Sequence, residues 1–466
     1  MNRPRVAIVG AGIGGLTVAW ELSRRLKDAV DIRLFEQSDR VGGNIRTIRR
    51  DGWLIEGGPD SFIRTKPAAV RLCERLGIAD ELIAPLPDHQ RALVVRDGSL
   101  HPVPHDFHLL VPRRLESLLD TPLLSTAAKL RLLGESTLPS GGQPSDTLAE
   151  FTRRRWGQEM LERLVQPLVA GIYSADPEEL SLQATMPQFL KLERIHGSLT
   201  AAGRTQRSDA RSGGARYGLF ASFADGMQRL PDELRSRIEG HAAVHLGTET
   251  TRVIEEGDHY RVETASNLVQ ADHVVLALPA GRAAKLLERP DVRSRLERIT
   301  AASSAVVVTG HRLDDFQHPL DAFGVVVPHV EGSPATAISI ASRKFPGRAP
   351  AGHVLVRTFL GSPSFSVVPA SDDELIEQSQ RVLRKYLGLH KSPVVTEVVR
   401  YHGGSPQYRR GHLDAVDDIE AAVAAMPGLH LVGASYRGVG IPDTIQTAVD
   451  VADRIAAAIN PISNSA

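Results

Sequence analysis

The chain has 466 residues, more than a single hydrophobic core normally accommodates, so two or three domains are expected. Lysine plus arginine number 55 and aspartate plus glutamate 55, a balance that gives no basic field to gather nucleic acid and no acidic excess of the disordered kind. One cysteine, Cys73, excludes an intrachain disulfide framework and a thiolate zinc cluster. It fits a reducing compartment, and with no apolar run of the roughly 18 residues that cross a bilayer a soluble or peripheral protein of the cytoplasm is expected.

Residues 5–10, RVAIVG, are β-branched and run straight into a glycine turn, which predicts a buried parallel strand. Leu16, Ala19, Trp20, Leu22 and Leu26 carry helical spacing up to a break near Asp28, and DIRLFEQ at 31–37 reads as a second strand. Strand, glycine turn, helix and strand within about 30 residues make a βαβ unit with a right-handed crossover, the opening of a dinucleotide-binding fold. Gly10, Gly12 and Gly15 fit its glycine pattern. The first takes the tight turn, the second leaves room for a pyrophosphate, and the third lets helix and strand approach. Glu36 stands where a carboxylate accepts hydrogen bonds from ribose hydroxyls and repels a 2′-phosphate. Arg40, Gly42 and Gly43 then offer a guanidinium and bare backbone amides to the same phosphates, a second clamp that a resident cofactor needs more than a transient hydride carrier does. EGGPDSF at 56–62 adds a rigid turn with exposed backbone.

From Pro85 to Leu199 the sequence changes to leucine- and arginine-rich helical patterns cut by prolines, with PSGGQPSD at 139–146 as the clearest break. The mixture of leucines and arginines at 108–135 is read as packing inside a helical lobe rather than lying at a membrane surface. Residues 201–216 are small and polar, and a mobile loop is expected there. A short strand, a turn and a helix near Gly226 follow. Hairpin strands are expected over 242–280, turning at Gly257-Asp258 and ending in the buried strand HVVLALP. More strands surround one helix at 372–387. The last part returns to the opening style, with strand LHLVGA at 429–434, a glycine loop, and a helix from about Thr444. Gly438 and Gly440 open that helix with amides able to face negative charge.

GAGIGGL, RVGGNIRT, EGGPDSF, VVLALPA and the terminal VGASYRGVGIPDTIQTAVDVADRI together resemble the flavin-dependent amine oxidase superfamily. Within it the chain is similar to the bacterial coproporphyrinogen and protoporphyrinogen oxidases of the Gram-positive type, on the strength of residues 150–189, 401–413 and 437–443. The resemblance implies an α/β fold: a discontinuous Rossmann-like FAD-binding domain (1–85, 217–285 and 425–466), a helical insertion lobe (86–216) and a mixed α+β substrate-binding sheet domain (286–424). It implies FAD contacts at Gly10, Ala11, Gly12, Ile13, Gly14, Gly15, Glu36, Gln37, Arg40, Gly42, Gly43, Asn44, Gly58, Pro59, Asp60, Ser61 and Gly433. The backbone of Val253 would meet the adenine, and Val439, Gly440 and Ile441 would lie beneath the isoalloxazine. Thr444 and Thr447 depart from the family, where many members carry a cysteine and a glycine, which leaves the packing of the last helix open.

The implied reaction removes six electrons from coproporphyrinogen III in heme biosynthesis, with O2 as acceptor and H2O2 as product. Protoporphyrinogen IX is the alternative substrate, a related amine oxidation a more distant one, and a ferrochelatase the expected transient partner. Flavin carries the chemistry, so no catalytic side chain or metal is expected. A flat substrate fringed with carboxylates needs an apolar wall and a few cations. Gly171, Ile172 and Tyr173 are the candidate wall, Arg64 and Lys66 the first candidate cations, and Arg343, Lys344 and Arg409 the next, each of which also fits a solvated surface charge. Tyr408 and His412 are candidate cleft residues, the histidine not as a base.

Overall fold

The computed structural model describes residues 3–460 apart from 106, 109, 206–218 and 266. Along the strand Arg5–Val9, Val6 and Ile8 enter one hydrophobic core while Ala7 and Val9 enter another. Being covered on both sides is the condition under which a parallel strand is apolar throughout. It is the middle of a five-stranded parallel sheet ordered Ala242–His245, Asp31–Phe35, Arg5–Val9, His273–Leu276, Leu429–Leu431. Helices Ile13–Leu26, Ala68–Leu76, Arg229–Arg237 and Ile441–Ile459 close one face. The antiparallel meander Thr250–Glu256, His259–Thr264, Leu268–Ala271 and helices Ala280–Leu286, Pro290–Glu297 and His412–Ala424 close the other. The meander turns between Glu256 and His259, as the Gly257-Asp258 pair predicts. From the central strand the sheet is extended by Asp31–Phe35 on one side and His273–Leu276 on the other, so the strands' carboxyl ends open a crevice at a topological switch point.

A second, seven-stranded sheet runs Val395–Pro406, Ala301–Arg312, His353–Leu360, Ala335–Ile340, Gly324–Val326, Ala92–Arg96, Ser99–Pro102. Its last two strands come from the stretch read as helical. Ala92–Arg96 instead pairs in parallel with Gly324–Val326, with Leu93 opposite Val325, and Leu93, Val94 and Val95 are all buried by the pairing. Helix Asp372–Leu387, started by a Ser371/Glu374 capping box, covers one face of the sheet.

Between these strands and the later part of the chain lies a helical lobe whose core gathers around Trp156, Phe151 and Leu164. Within residues 108–135, Leu110, Leu118, Leu123, Leu124 and Leu132 are buried in that core, whereas Leu130 and Leu133 face outward. One continuous helical run passes through a widened π turn at Leu161–Val165 into Gln166–Tyr173. Pro167, which has no N–H to donate, sits just beyond that turn. Of the loop expected at 201–216, residues 201–205 belong to the helix Leu199–Thr205 and the remainder lies outside the described residues. No described helix is long and apolar enough to cross a membrane.

Candidate functional site

Three loops meet at the crevice. In the first, Gly10 has φ +102°, and a Cβ there would stand 2.5 Å from the carbonyl oxygen of Ala277; a Cβ on Gly15 would stand 2.0 Å from that of Gly10. These two glycines are demanded by the fold itself. Gly12 differs, because a Cβ added to it would find nothing nearer than the Cα of Gly43, 4.0 Å away. The space in front of it is open. Helix Ile13–Leu26 begins there with no side-chain cap and no acidic residue in its first turn, so its first amides keep their donors and the positive end of the helix dipole free for an anion.

The second loop, residues 40–45, lies against the first: Gly42 N–H donates to the Ala11 carbonyl at 2.8 Å, and Gly12 and Gly42 form an isolated bridge. Arg40 fastens this loop internally, donating to the carbonyls of Val41 (3.1 Å), Ile45 (2.9 Å) and Gly43 (2.6 Å). The guanidinium expected to reach phosphate thus spends three donors on shaping the loop, which leaves Gly43 and Asn44 exposed. Glu36 also does local work. One oxygen accepts from Ala11 N–H at 2.9 Å and the other from Ser38 N–H and hydroxyl at 2.9 and 2.8 Å. It holds the glycine loop to the end of its strand, with one lone pair to spare for a ribose. Gln37, next to it, is exposed.

The third loop is the turn at 57–61, where a Cβ on Gly58 would fall 1.8 Å from the Asn44 carbonyl oxygen. Gly12, Gly43, Asn44 and Gly58 therefore form one continuous backbone wall. Asp60 is turned toward the seven-stranded sheet, with Lys344 Nζ at 2.8 Å and Arg357 Nη1 at 3.3 Å. Burial alone would raise its pKa, but the two cations outweigh it and hold the carboxyl well below the usual carboxylate range. Its side chain serves an ion pair, and Ser61 joins it through a 2.8 Å bond to Asp60 Oδ1. Pro59 is half-buried beside them.

At the far end of the chain, Gly433 (φ +144°) and Gly438 (φ +137°) shape the entry to helix Ile441–Ile459. A Cβ on Gly438 would stand 2.4 Å from Cγ of Asp443. Gly438 N–H donates to the Tyr408 hydroxyl at 2.7 Å, and that hydroxyl donates to the Ala434 carbonyl at 2.7 Å. Tyr408 is 1% exposed and stacks on His412 at 3.8 Å, while His412 bonds the Tyr436 carbonyl at 2.8 Å. Both residues, expected in the cleft, are buried struts under the glycine loop. Burial pushes the His412 pKa down and that of Tyr408 up. Gly438's amide is thereby committed to Tyr408, and Gly440's faces Asp443 at 3.3 Å. Thr444, at a family departure, packs against Gly14, and the Thr447 hydroxyl bonds the Asp443 carbonyl at 3.0 Å. Ile441 packs on the core of the parallel-sheet body. Val253 is 2% exposed, and its main chain pairs with Val262 in the meander and bridges Leu287 on the other side.

Val439 and Tyr173 both pack on the core of the helical lobe, which brings the segment at 171–173 toward the terminal loop. A Cβ on Gly171 would meet nothing within 4 Å, and the Tyr173 hydroxyl donates to the Thr185 carbonyl at 3.1 Å. The Ile172 side chain lies outside what is described. Four of the five candidate cations are engaged. Lys66 holds Asp443 at 2.7 Å, Lys344 holds Asp60, Arg409 holds Glu179 at 2.9 Å, and Arg343 donates to the Leu320 carbonyl at 3.1 Å. The exposed guanidinium of Arg64 has no partner among the described residues. Residues that sequence reasoning missed are Arg357 and Tyr401, on the seven-stranded sheet, and Arg348, in the loop before strand His353–Leu360; they grip the turn at 57–61 and its neighbour Ser222. An arginine inside the apolar strand HVLVRTFL was the available signal for Arg357.

A family profile described as flavin containing amine oxidoreductase matches residues 13–456. The chain is 33% identical to coproporphyrinogen III oxidase of Bacillus subtilis over 95% of its own length and 96% of that protein's. It is 30% identical to the chloroplastic protoporphyrinogen oxidase of Nicotiana tabacum, over 96% of this chain and 84% of that one. Among solved structures, one from Exiguobacterium sp. 255-15, assigned as a protoporphyrinogen oxidase, superposes with TM-score 0.88 at 30% identity, covering 98% of this chain and all of that one.

Proposed function

This chain belongs to the flavin containing amine oxidoreductase family, and from that premise we propose that it binds FAD and oxidises coproporphyrinogen III to coproporphyrin III, the substrate losing six hydrogens as three O2 become three H2O2. The observation that carries the reading is the extent of the likeness to coproporphyrinogen III oxidases, which runs through the helical lobe and both sheets as well as the nucleotide crevice. FAD, when bound, supplies a hydride acceptor that oxygen can regenerate.

The chain's own residues bind and orient. The clear space at Gly12 and the uncapped helix behind it take the diphosphate, and the remaining lone pair of Glu36 takes a ribose hydroxyl. Arg40, by fixing its loop through three carbonyls, keeps Gly43 and Asn44 facing the ligand. Val439 and Ile441 sit under the ring, held from below by the strut of Tyr408 and His412. The wall at Gly171–Tyr173 meets the apolar centre of the substrate, and the unpaired guanidinium of Arg64 meets one of its carboxylates. Lys66 reaches a second carboxylate only by releasing Asp443. The product passes to a ferrochelatase in the cytoplasm.

Purified protein given each porphyrinogen in turn under oxygen tests this. Porphyrin fluorescence and three equivalents of peroxide per porphyrin are expected, faster with coproporphyrinogen III than with protoporphyrinogen IX. The opposite preference would transfer the reading to protoporphyrinogen IX. Bound flavin that neither substrate reduces would remove it altogether.

A further inference from the structure

The wall formed by Gly12, Gly43, Asn44 and Gly58 is gripped by buried charge from the strand His353–Leu360 of the seven-stranded sheet and from the helix and loop that lead into it. Tyr401 donates its hydroxyl to the Gly57 carbonyl. Arg357 Nη2 donates to the Gly58 carbonyl at 2.5 Å, and its Nη1 faces Asp60. Lys344 Nζ holds Asp60 and also donates to Ser61 Oγ at 3.1 Å. Arg348 donates to Ser222 Oγ at 3.0 Å, and Ser222 in turn donates to the Asp60 carbonyl at 2.7 Å. Glu56, just before the turn, accepts from Met227 N–H at 2.8 Å and Thr47 Oγ at 2.8 Å.

The charges in this cluster do not cancel. Lys344, Arg348 and Arg357 stand against Asp60 and Glu56, and every one of the five is largely or wholly buried. Arg357 is 4% exposed at its side chain, and its Nε has no hydrogen-bond partner. A buried cation in excess costs free energy and adds less to stability than an apolar side chain of the same volume would. Fixed charge in a dry site, by contrast, acts strongly on any charge that forms nearby.

We propose that Arg357, Lys344 and Asp60 set the reduction potential of the flavin, their excess positive charge favouring the anionic reduced form, while Arg357 also positions the turn at 57–61. The inference rests on the flavin reading above, with the ring between the turn at 57–61 and the terminal loop, which Lys66 joins by holding Asp443 at 2.7 Å. It makes Arg357 a positioning residue and gives the seven-stranded sheet a part in the electronics of the site besides its expected part in holding substrate.

The test is the midpoint potential of the bound flavin, measured by dye equilibration in the purified holoenzyme without any porphyrinogen. Arg357→Gln and Lys344→Gln each remove a positive charge, and the potential falls; Asp60→Asn removes a negative one, and it rises. Arg357→Lys restores the charge without the fork and returns the potential toward that of the parent. Loosening of the turn alone moves all the variants one way, so shifts of one sign, or no shift, overturn the proposal. Where Arg357→Gln does not fold, the opposed pair Lys344→Gln and Asp60→Asn decides. A purified protein with no flavin overturns the functional reading as well, which separates the two failures.

Discussion

Gly12 and Gly15 stand three positions apart in one motif and carry different burdens. A methyl on Gly15 collides with the Gly10 backbone, whereas one on Gly12 touches no protein atom closely. Gly15→Ala is therefore expected to abolish folding. Gly12→Ala is expected to leave the melting temperature of the flavin-free protein unchanged while lowering flavin occupancy, both read by thermal melts alongside a flavin titration. Glu36→Gln puts a donor where one of three incoming donors must be received. The loss of a charged hydrogen bond, about 1–3 kcal/mol, weakens flavin binding roughly tenfold, measurable as the flavin-to-protein ratio after dialysis. The position of Glu36 was legible because the end of a second strand at that spacing has one chemical use. The partners of Arg40 and Asp60 were not. A guanidinium beside a glycine loop satisfies itself on phosphate or on carbonyls with equal chemistry, and the cations facing Asp60 come from a short helix and a strand almost 300 residues later.

Among the elements, the entry to the last helix depends on a tyrosine that contributes only its hydroxyl and its stacked ring. In Tyr408→Phe the Gly438 N–H and the Ala434 carbonyl both lose a buried partner. A destabilisation of about 1–3 kcal/mol follows, visible in denaturant unfolding, together with a perturbed flavin spectrum. The helix Leu199–Thr205 is tied in a similar way to the lobe. Glu135, wholly buried, accepts from Leu199 N–H and Thr200 N–H at 3.0 Å each and pairs with buried Arg155. Glu135→Ala leaves Arg155 with Glu193, 3.3 Å from its Nη1, as its remaining counter-ion and unpairs two buried N–H groups, a loss of about 1–3 kcal/mol, and hydrogen exchange should rise across Leu199–Thr205. Helices, hairpins and the buried strands of the parallel sheet were readable from local pattern. The strands Ala92–Arg96 and Ser99–Pro102 were not, since a strand at that edge is defined by Gly324–Val326, far along the chain.

For the molecule as a whole, burial holds His273, His311, His318, His329, His412 and His430 below the ordinary imidazole value, His311 to about 4 and His430 to about 3. The unfolded chain then binds more protons than the native one below pH ~6.5. Stability is complete above that value and is lost as the pH falls toward the depressed ones, His311 alone accounting for about 3 kcal/mol. Melting temperatures should drop steadily from pH 7 to pH 5, and a flat or rising profile would contradict the burial of these rings. The five-stranded sheet carries a different consequence. Its edge strand Leu429–Leu431 and the helix Ile441–Ile459, which covers the helix Ile13–Leu26, come from the last tenth of the chain. At about 5–20 residues per second of translation, the glycine loop waits tens of seconds for the helix that roofs it. The nascent protein must be shielded over that interval.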